Sequence, residues 1–238
     1  MTLTLRQNKI LEGVCKEYIK KASPVSSQSL KSKYHFPFSP ATIRSEFACL
    51  EENKYLDHPY ISSGRIPTDK GFRFLVDKIF EAQPVSQREE KNLLEEFFEE
   101  IGERDDFFKI SRALLKRLSC LSSALVFAYL PEEEILLKDG WEAVIKEPEF
   151  QKPDYLKGFV GIAMAFEKGI DGLNCENRSI NVYIGKESRF LGGEASLVFT
   201  KTFFKDKEGL IAILGPKRMD FERNIGLLSK INGIFESF

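Results

Sequence analysis

The residues with the most usable chemistry lie in two short stretches near the N-terminus. Ser39, Ala41, Thr42, Arg44 and Ser45 form the first; Ser62, Ser63, Arg65, Lys70 and Arg73 form the second. Hydroxyls and cations in this mix suit contacts to phosphate oxygens and to base edges. A guanidinium can bond guanine bidentately, a hydroxyl can bind phosphate, and a small methyl can sit against thymine. Material for catalysis is thin by comparison. There are two histidines, His35 and His58, and four widely spaced cysteines (Cys15, Cys49, Cys120, Cys175) that form no C-x-x-C pair. No nucleophile–base pair, paired-carboxylate site or metal-ligand cluster stands out, so no enzyme activity, metal or cofactor is expected.

Both stretches need elements to present them. Ile10, Leu11, Val14, Cys15, Tyr18 and Ile19 recur at helical spacing, which predicts a first helix from about Leu5 to Lys20. Ser26 can cap a second helix, Ser27 to Tyr34, and Pro37 holds the following segment in a turn. Ser39 can cap a third helix, with Pro40 at the position where a missing N–H costs nothing. Ile43, Phe47 and Leu50 then share an inner face, while Ala41 and Ser45 point outward with Thr42 and Arg44 at the flanks. A small, polar outward face near a helix start suits entry into a major groove. Tyr55–Tyr60 and Ile61–Pro67 predict a β-hairpin around Ser62-Ser-Gly64, with Arg65 at its tip and the small residues leaving room for close approach. Thr68 can cap a fourth helix, Asp69 to Phe80. A hairpin directly after a third helix is the wing of a winged helix-turn-helix.

Each residue also has a plainer reading. Arg44 suits either DNA or a solvated helix face, and Arg65 either a minor groove or a surface charge. Ala41, Thr42 and Ser45 fit a methyl or phosphate contact as well as simple exposure. Lys70 and Arg73 could reach the DNA backbone or serve only the fourth helix. His58 reads as a structural turn residue beside Pro59.

Beyond this region the pattern changes. Gln83–Ser86 reads as a linker, followed by an acidic helix from Gln87. Its apolar stripe, Leu93, Leu94, Phe97, Phe98 and Ile101, suits a core face or a dimer seam. A helical run from Phe107 to about Leu118 leads into a strand, Ala124–Tyr129, and then a short helix near Trp141–Lys146. Strands are expected at Ile180–Ile184, Ala195–Thr200 and Leu210–Leu214, and a closing helix at Phe221–Phe235. Gly215-Pro-Lys-Arg-Met-Asp220 suits helix capping or, less well, a phosphate loop.

With 238 residues, 42% apolar and 30% charged, the chain has the balance of a soluble globular protein of one large or two modest domains. No stretch is long and apolar enough to span a bilayer, the N-terminus lacks a leader pattern, and scattered thiols fit a reducing, cytoplasmic setting. The net charge of −1 hides an asymmetry. Residues 1–80 carry 13 Lys and Arg against 8 Asp and Glu, a net of +5, and the remainder carries −6. A basic head on an acidic body fits a DNA-binding module with a regulatory partner domain.

Several stretches taken together resemble one family, the heat-inducible transcription repressor HrcA. Ser39-Pro-Ala-Thr-Ile-Arg44 with Glu46 and Leu50-Glu51 resembles its recognition helix. Ser63-Gly-Arg-Ile-Pro-Thr-Asp-Lys-Gly71 with Phe72 and Arg73 resembles its wing and following helix. Val182-Tyr-Ile-Gly-Lys-Glu187, Gly215-Pro-Lys-Arg-Met-Asp-Phe221 and Trp141–Phe150, ending Glu147-Pro-Glu-Phe150, resemble motifs of its C-terminal domain. The resemblance implies a homodimeric repressor on an inverted repeat of double-stranded DNA called CIRCE, a GAF-like body with a dimerising insertion, and a GroEL-type chaperonin as a partner. Only Leu130–Asp139 joins the strand at Ala124–Tyr129 to the Trp141 segment, so the insertion is expected to be absent or reduced. The fold expectation is therefore α+β: a winged helix-turn-helix domain at 1–80 and a shortened GAF-like α/β domain at 87–238. Two other readings of the body stay open: a module that docks to a chaperonin with DNA binding secondary, and a sensor of a small ligand.

Overall fold

Helix α1 (Leu5–Lys21) begins on a reciprocal cap, in which Thr4 Oγ1 accepts from Gln7 N and Gln7 Oε1 accepts from Thr4 N. Its buried stripe, Ile10, Leu11, Val14 and Cys15, is the one the helical spacing predicts. Helices α2 (Ser27–Tyr34), α3 (Pro40–Glu52) and α4 (Asp69–Glu81) pack around it, with a two-residue ribbon, β1 (Leu56–Asp57) and β2 (Ile66–Pro67), between α3 and α4. The computed structural model describes residues 3–60, 63–82, 107–173, 175–204 and 207–235, in two compact units, Met1–Glu81 and Ala82–Phe238. Ser62, the linker at 83–86, the acidic helix expected from Gln87 and its stripe from Leu93 to Ile101 lie outside the described residues.

The first unit is held by one apolar cluster that joins α1, Val25, Leu30, Ile43, Phe47, Leu50, Leu56 and Leu75. A buried carboxylate fixes α1 to α2. Glu17 meets Lys33 at 2.5 Å and Lys21 at 3.3 Å, and accepts from Tyr34 Oη. Burial opposes ionisation of Glu17, but hydrogen bonds from the two lysines, reinforced by their charge, outweigh it and hold the carboxyl below its usual range. Burial and the Glu17 charge push the Tyr34 phenol up to about 12.

The second unit is a mixed α/β body. Helix α5 (Phe107–Ser122) leads into β3 (Leu125–Leu130), a tight turn and β4 (Ile135–Asp139). After α6 (Trp141–Val144) and α7 (Pro153–Gly169) come β5 (Ile180–Ile184), β6 (Ala195–Phe204), β7 (Lys207–Pro216) and α8 (Phe221–Phe235). The five strands form one antiparallel sheet in the order β4-β3-β7-β6-β5. Register puts Leu125, Leu214 and Leu197 in one row and Phe127, Ala212 and Phe199 in the next. That face packs against Phe159, Ala163 and Phe166 of α7. α5 and α8 serve the other face, where Asn232 Nδ2 donates to Thr200 Oγ1 at 2.9 Å.

In the second unit two elements depart most from the sequence expectation. The connector Leu130–Asp139 is a structured hairpin arm, with β4 paired along its length to β3. α7, with 17 residues, is a full layer of the body where no helix was expected. Among the described residues no helix is long and apolar enough to cross a membrane.

Candidate nucleic-acid interface

The site begins with the cap of α3. Ser39 Oγ accepts from Thr42 N at 3.0 Å and shares a 2.9 Å hydrogen bond with Thr42 Oγ1, so both hydroxyls help define the helix start. Ile43, Phe47 and Leu50 are buried, which fixes the rotation of α3 about its axis. Ala41, Arg44 and Ser45 are then exposed on the outer side, with Thr42 half-buried beside them. Among the described residues Arg44 approaches just Ser27 Oγ, at 3.5 Å, too long to hold a guanidinium in place. Ala48 and Cys49 are also exposed and extend the same face by a turn. They escaped the sequence reading because neither carries a charge or a strong donor, although their 3.6-residue spacing from Ala41 and Ser45 was there to be followed.

A second carboxylate sets the tilt of this helix. Glu46, on α3, accepts from Arg6 Nη1 at 3.2 Å and Gln7 Nε2 at 3.1 Å, tying α3 to the first turn of α1. The Arg6 guanidinium also lies 4.9 Å from the centre of the Phe38 ring.

The hairpin differs from expectation in a way that matters for the site. Among the described residues its ladder is Leu56↔Pro67 and Asp57↔Ile66, and Arg65, next to Ile66, is not at its tip. Arg65 exchanges both backbone hydrogen bonds with Val25, each 2.9 Å, so it lies just past the loop end of the ladder, held to the segment that leads into α2. Its guanidinium meets Glu51 at 2.9 Å and is 21% exposed. The Glu51 carboxylate also contacts His58 Nδ1. Glu51, Asp57 and His58 bring possible ligand atoms within 4.8 Å of one another, but Arg65 already supplies the positive charge, and the group forms an ion-pair knot. Gly64 is small for a structural reason too. A Cβ there would lie 2.5 Å from the backbone of Val25, so its close approach is to this chain rather than to DNA.

The remaining expected contacts are also engaged within the unit. Ser63 Oγ donates to Tyr60 O at 2.7 Å and stabilises the loop turn. Lys70 Nζ donates to Asn53 O at 3.0 Å, at the C-terminal end of α3, and sits 4.2 Å from the centre of the Tyr55 ring. Arg73 lies 3.8 Å from Asp77 on its own helix. The structure therefore separates residues that sequence spacing had grouped. Ala41, Thr42, Arg44 and Ser45 share one accessible face, whereas Arg65, Lys70 and Ser63 brace the hairpin and helix ends.

The motifs of the second unit form a clamp. The Arg218 side chain is 8% exposed and reaches Glu147 at 2.7 Å and Glu149 at 2.8 Å. Glu147-Pro-Glu-Phe150 and Gly215–Phe221 thus bind each other through one guanidinium. Asp220 Oδ1 accepts from Arg223 N at 3.1 Å, which caps α8. With Arg218 paired to carboxylates and Asp220 beside it, this loop does not suit phosphate. In Val182–Glu187, the Glu187 carboxylate accepts from Ile184 N at 2.9 Å and locks the turn after β5.

Residues 75–225 match the HrcA protein C-terminal domain, well over half of the chain. The chain belongs to the HrcA family. A protein from Chloroflexus aggregans named heat-inducible transcription repressor HrcA is 42% identical over 115 residues, 48% of this chain and 31% of that protein. A HrcA from Natranaerobius thermophilus is 49% identical over 79 residues, 33% of this chain and 23% of that protein. The chain matches only about a third or less of the length of these curated HrcA relatives. A solved structure described as a hypothetical protein at 2.2 Å resolution superposes with a TM-score of 0.80 at 20% identity, over 99% of this chain and 98% of that one. That likeness shows a shared fold.

Proposed function

We propose that this HrcA-family chain is a DNA-binding transcriptional repressor of heat-shock genes, acting as a homodimer on an inverted-repeat operator of the CIRCE type. Residues 1–80 serve as a winged helix-turn-helix in this reading, and residues 87–238 as a shortened GAF-like body that sets the spacing of two heads. The observation that carries it is the outward face of α3. Ala41, Arg44 and Ser45 are exposed beside a capped helix start, on a helix locked by Ile43, Phe47, Leu50 and Glu46. Small side chains allow the helix to seat deeply, and Arg44 supplies a bidentate donor for a base edge or phosphate. The +5 charge of residues 1–80 adds the sequence-independent attraction to the backbone.

One winged helix reads few base pairs. Two of them, about 34 Å apart on successive turns of an inverted repeat, supply operator specificity. Bound across a promoter, the dimer blocks transcription, and heat relieves the block by loosening the body. The test is binding to an inverted repeat and to a scrambled duplex at two salt concentrations, with Arg44→Ala alongside. The reading requires a strong preference for the repeat that the variant loses. Equal, weak and purely salt-dependent binding to both duplexes excludes it. A body that melts far above the temperature at which operator binding is lost excludes the heat step.

A further inference from the structure

Helix α7 covers one face of the sheet with Phe159, Ala163 and Phe166, and its opposite side is exposed. At 100° per residue the centre of that outer side is Gly161, flanked by Asp154, Lys157, Gly158, Met164, Ala165 and Lys168. Solvated helix faces are usually polar throughout. Here the middle is glycine, alanine and a Met164 that is 55% exposed, with Val160 also exposed at the margin, and the charges stand towards the ends. Among the described residues, Gly158 and Gly161 have no heavy atom within 4 Å of where a Cβ would be. Helix interiors disfavour glycine, and among the described residues no contact calls for it at either position.

The arrangement is self-complementary. Asp154 and Lys168 stand seven residues on either side of Gly161, almost in line along the helix. We propose that this face of α7 is the seam of an antiparallel, two-fold homodimer centred on Gly161. The inference names a surface for the dimer proposed above and rests on that reading. A two-fold axis at Gly161 sets Asp154 against the partner's Lys168, and the reverse, at both ends of the seam. Met164 enters the gap over the partner's Gly158, and the stem of Lys157 lies along the partner's Ala165. A parallel pair would place like charges together, so the charge pattern selects the antiparallel arrangement. A single helix crossing buries well under the roughly 1,600 Å² of a standard interface, so the dimer is weak in free solution. Two half-sites on one duplex then raise the effective concentration of the second head.

The test is sedimentation equilibrium of the full chain without DNA, across a wide concentration range, for wild type, Asp154→Lys, Lys168→Asp and the double swap. Each single variant sets like charges against each other twice and weakens association about tenfold. The double swap restores it. Asp154 and Lys168 are about 21 Å apart along their own helix, so restoration cannot come from within one chain. Gly161→Leu abolishes the dimer by blocking close approach. Trp141 packs edge-on against Phe159 of α7 at 6.2 Å, so unchanged Trp fluorescence reports that each variant is folded. A wild type that stays monomeric, single swaps that leave the dimer intact, or a double swap that fails to rescue each overturns the seam. Operator binding by dimers indifferent to these changes would spare the repressor reading and reject the seam. A swap-sensitive dimer with no operator preference would do the reverse.

Discussion

The two units meet the same problem, fixing charged and polar side chains in place, at different ranges of sequence. In Met1–Glu81 the helix starts are fixed by local devices, while longer reaches such as Glu46 to Arg6 tie the helices to one another. Ser39 caps its own helix, Ser26 caps α2, and Thr4 and Gln7 cap each other. In Ala82–Phe238 the decisive device is remote: Arg218 closes on Glu147 and Glu149 some 70 residues away. Local devices leave a start-and-stop grammar in the sequence, whereas a remote clamp leaves only unexplained charged residues in a loop. The comparison also separates roles. The first unit keeps one helix face accessible while bracing everything around it, and the second puts its buried charge to holding itself together.

The largest effect expected from breaking this contrast is at Arg218. Arg218→Met leaves Glu147 and Glu149 facing each other with no cation between them. Loss of one partner from a buried pair costs about 3–5 kcal/mol, and the partial exposure of these carboxylates places the loss near the lower end. For a unit of this size that is a fall in melting temperature of about 10 °C. Trp141 is the chain's single tryptophan and lies in the second unit, so its fluorescence follows that unit's melting. Adding Glu147→Gln and Glu149→Gln should recover most of the loss. An unchanged transition in Arg218→Met would show that the clamp is ornamental and the contrast false.

The next effect sharpens the division inside the first unit. Arg44→Ala should weaken operator binding by about 1–3 kcal/mol, roughly fivefold to 150-fold, with no change in melting. Arg65→Ala should act through stability, because its guanidinium is held by Glu51. A double-mutant cycle of Arg65→Ala with Glu51→Ala then shows strong coupling in melting, since each change removes the same contact. If Arg65→Ala instead leaves melting unchanged and removes operator affinity, Arg65 faces DNA and the hairpin reading must be redrawn.

These two arginines show what was legible. The helix boundaries of the first unit, the inner face Ile43–Phe47–Leu50 and the exposure of Arg44 all follow from spacing and caps, which operate within a few residues. The place of Arg65 does not. It depends on pairing with Val25, forty residues upstream, which no local pattern encodes. α7 was illegible for another reason. Lys152 makes no side-chain cap, Gly158 and Gly161 interrupt the helical pattern, and apolar residues occupy both faces, so the usual amphipathic signal is absent. β4 is a short edge strand, partly exposed along its length, directly after an acidic turn, and its alternation is too brief to register.

A smaller, pH-dependent effect tests how α2 is held to α1 in the first unit. Glu17 has its folded carboxyl held below the unfolded value of about 4.3. Its contribution is therefore fully present above that value and is lost as pH falls through the folded value. Glu17→Gln should flatten the acid limb of the first unit's stability curve below about pH 4 and leave the second unit's limb unchanged. An acid limb identical to wild type would remove Glu17 from the account of how α2 is held to α1.

The smallest effect carries the finest distinction, because Ser39 is both a cap and a candidate phosphate contact. Its hydroxyl accepts from Thr42 N and is shared with Thr42 Oγ1, so Ser39→Ala should destabilise the first unit by about 1 kcal/mol through the cap alone. That loss would also lower DNA affinity indirectly, and the alanine variant cannot separate the two roles. Ser39→Asp can. Aspartate caps a helix as well as serine does and adds a negative charge that suits the positive end of the helix dipole, so melting should hold or rise. The same charge repels phosphate. If α3 seats its N-terminus against the DNA backbone, Ser39→Asp keeps the fold and loses affinity for operator and scrambled duplex alike, with a shallower salt dependence. If affinity survives, the start of α3 stands clear of the backbone. Readout then falls to Arg44 and Ser45 further along the helix.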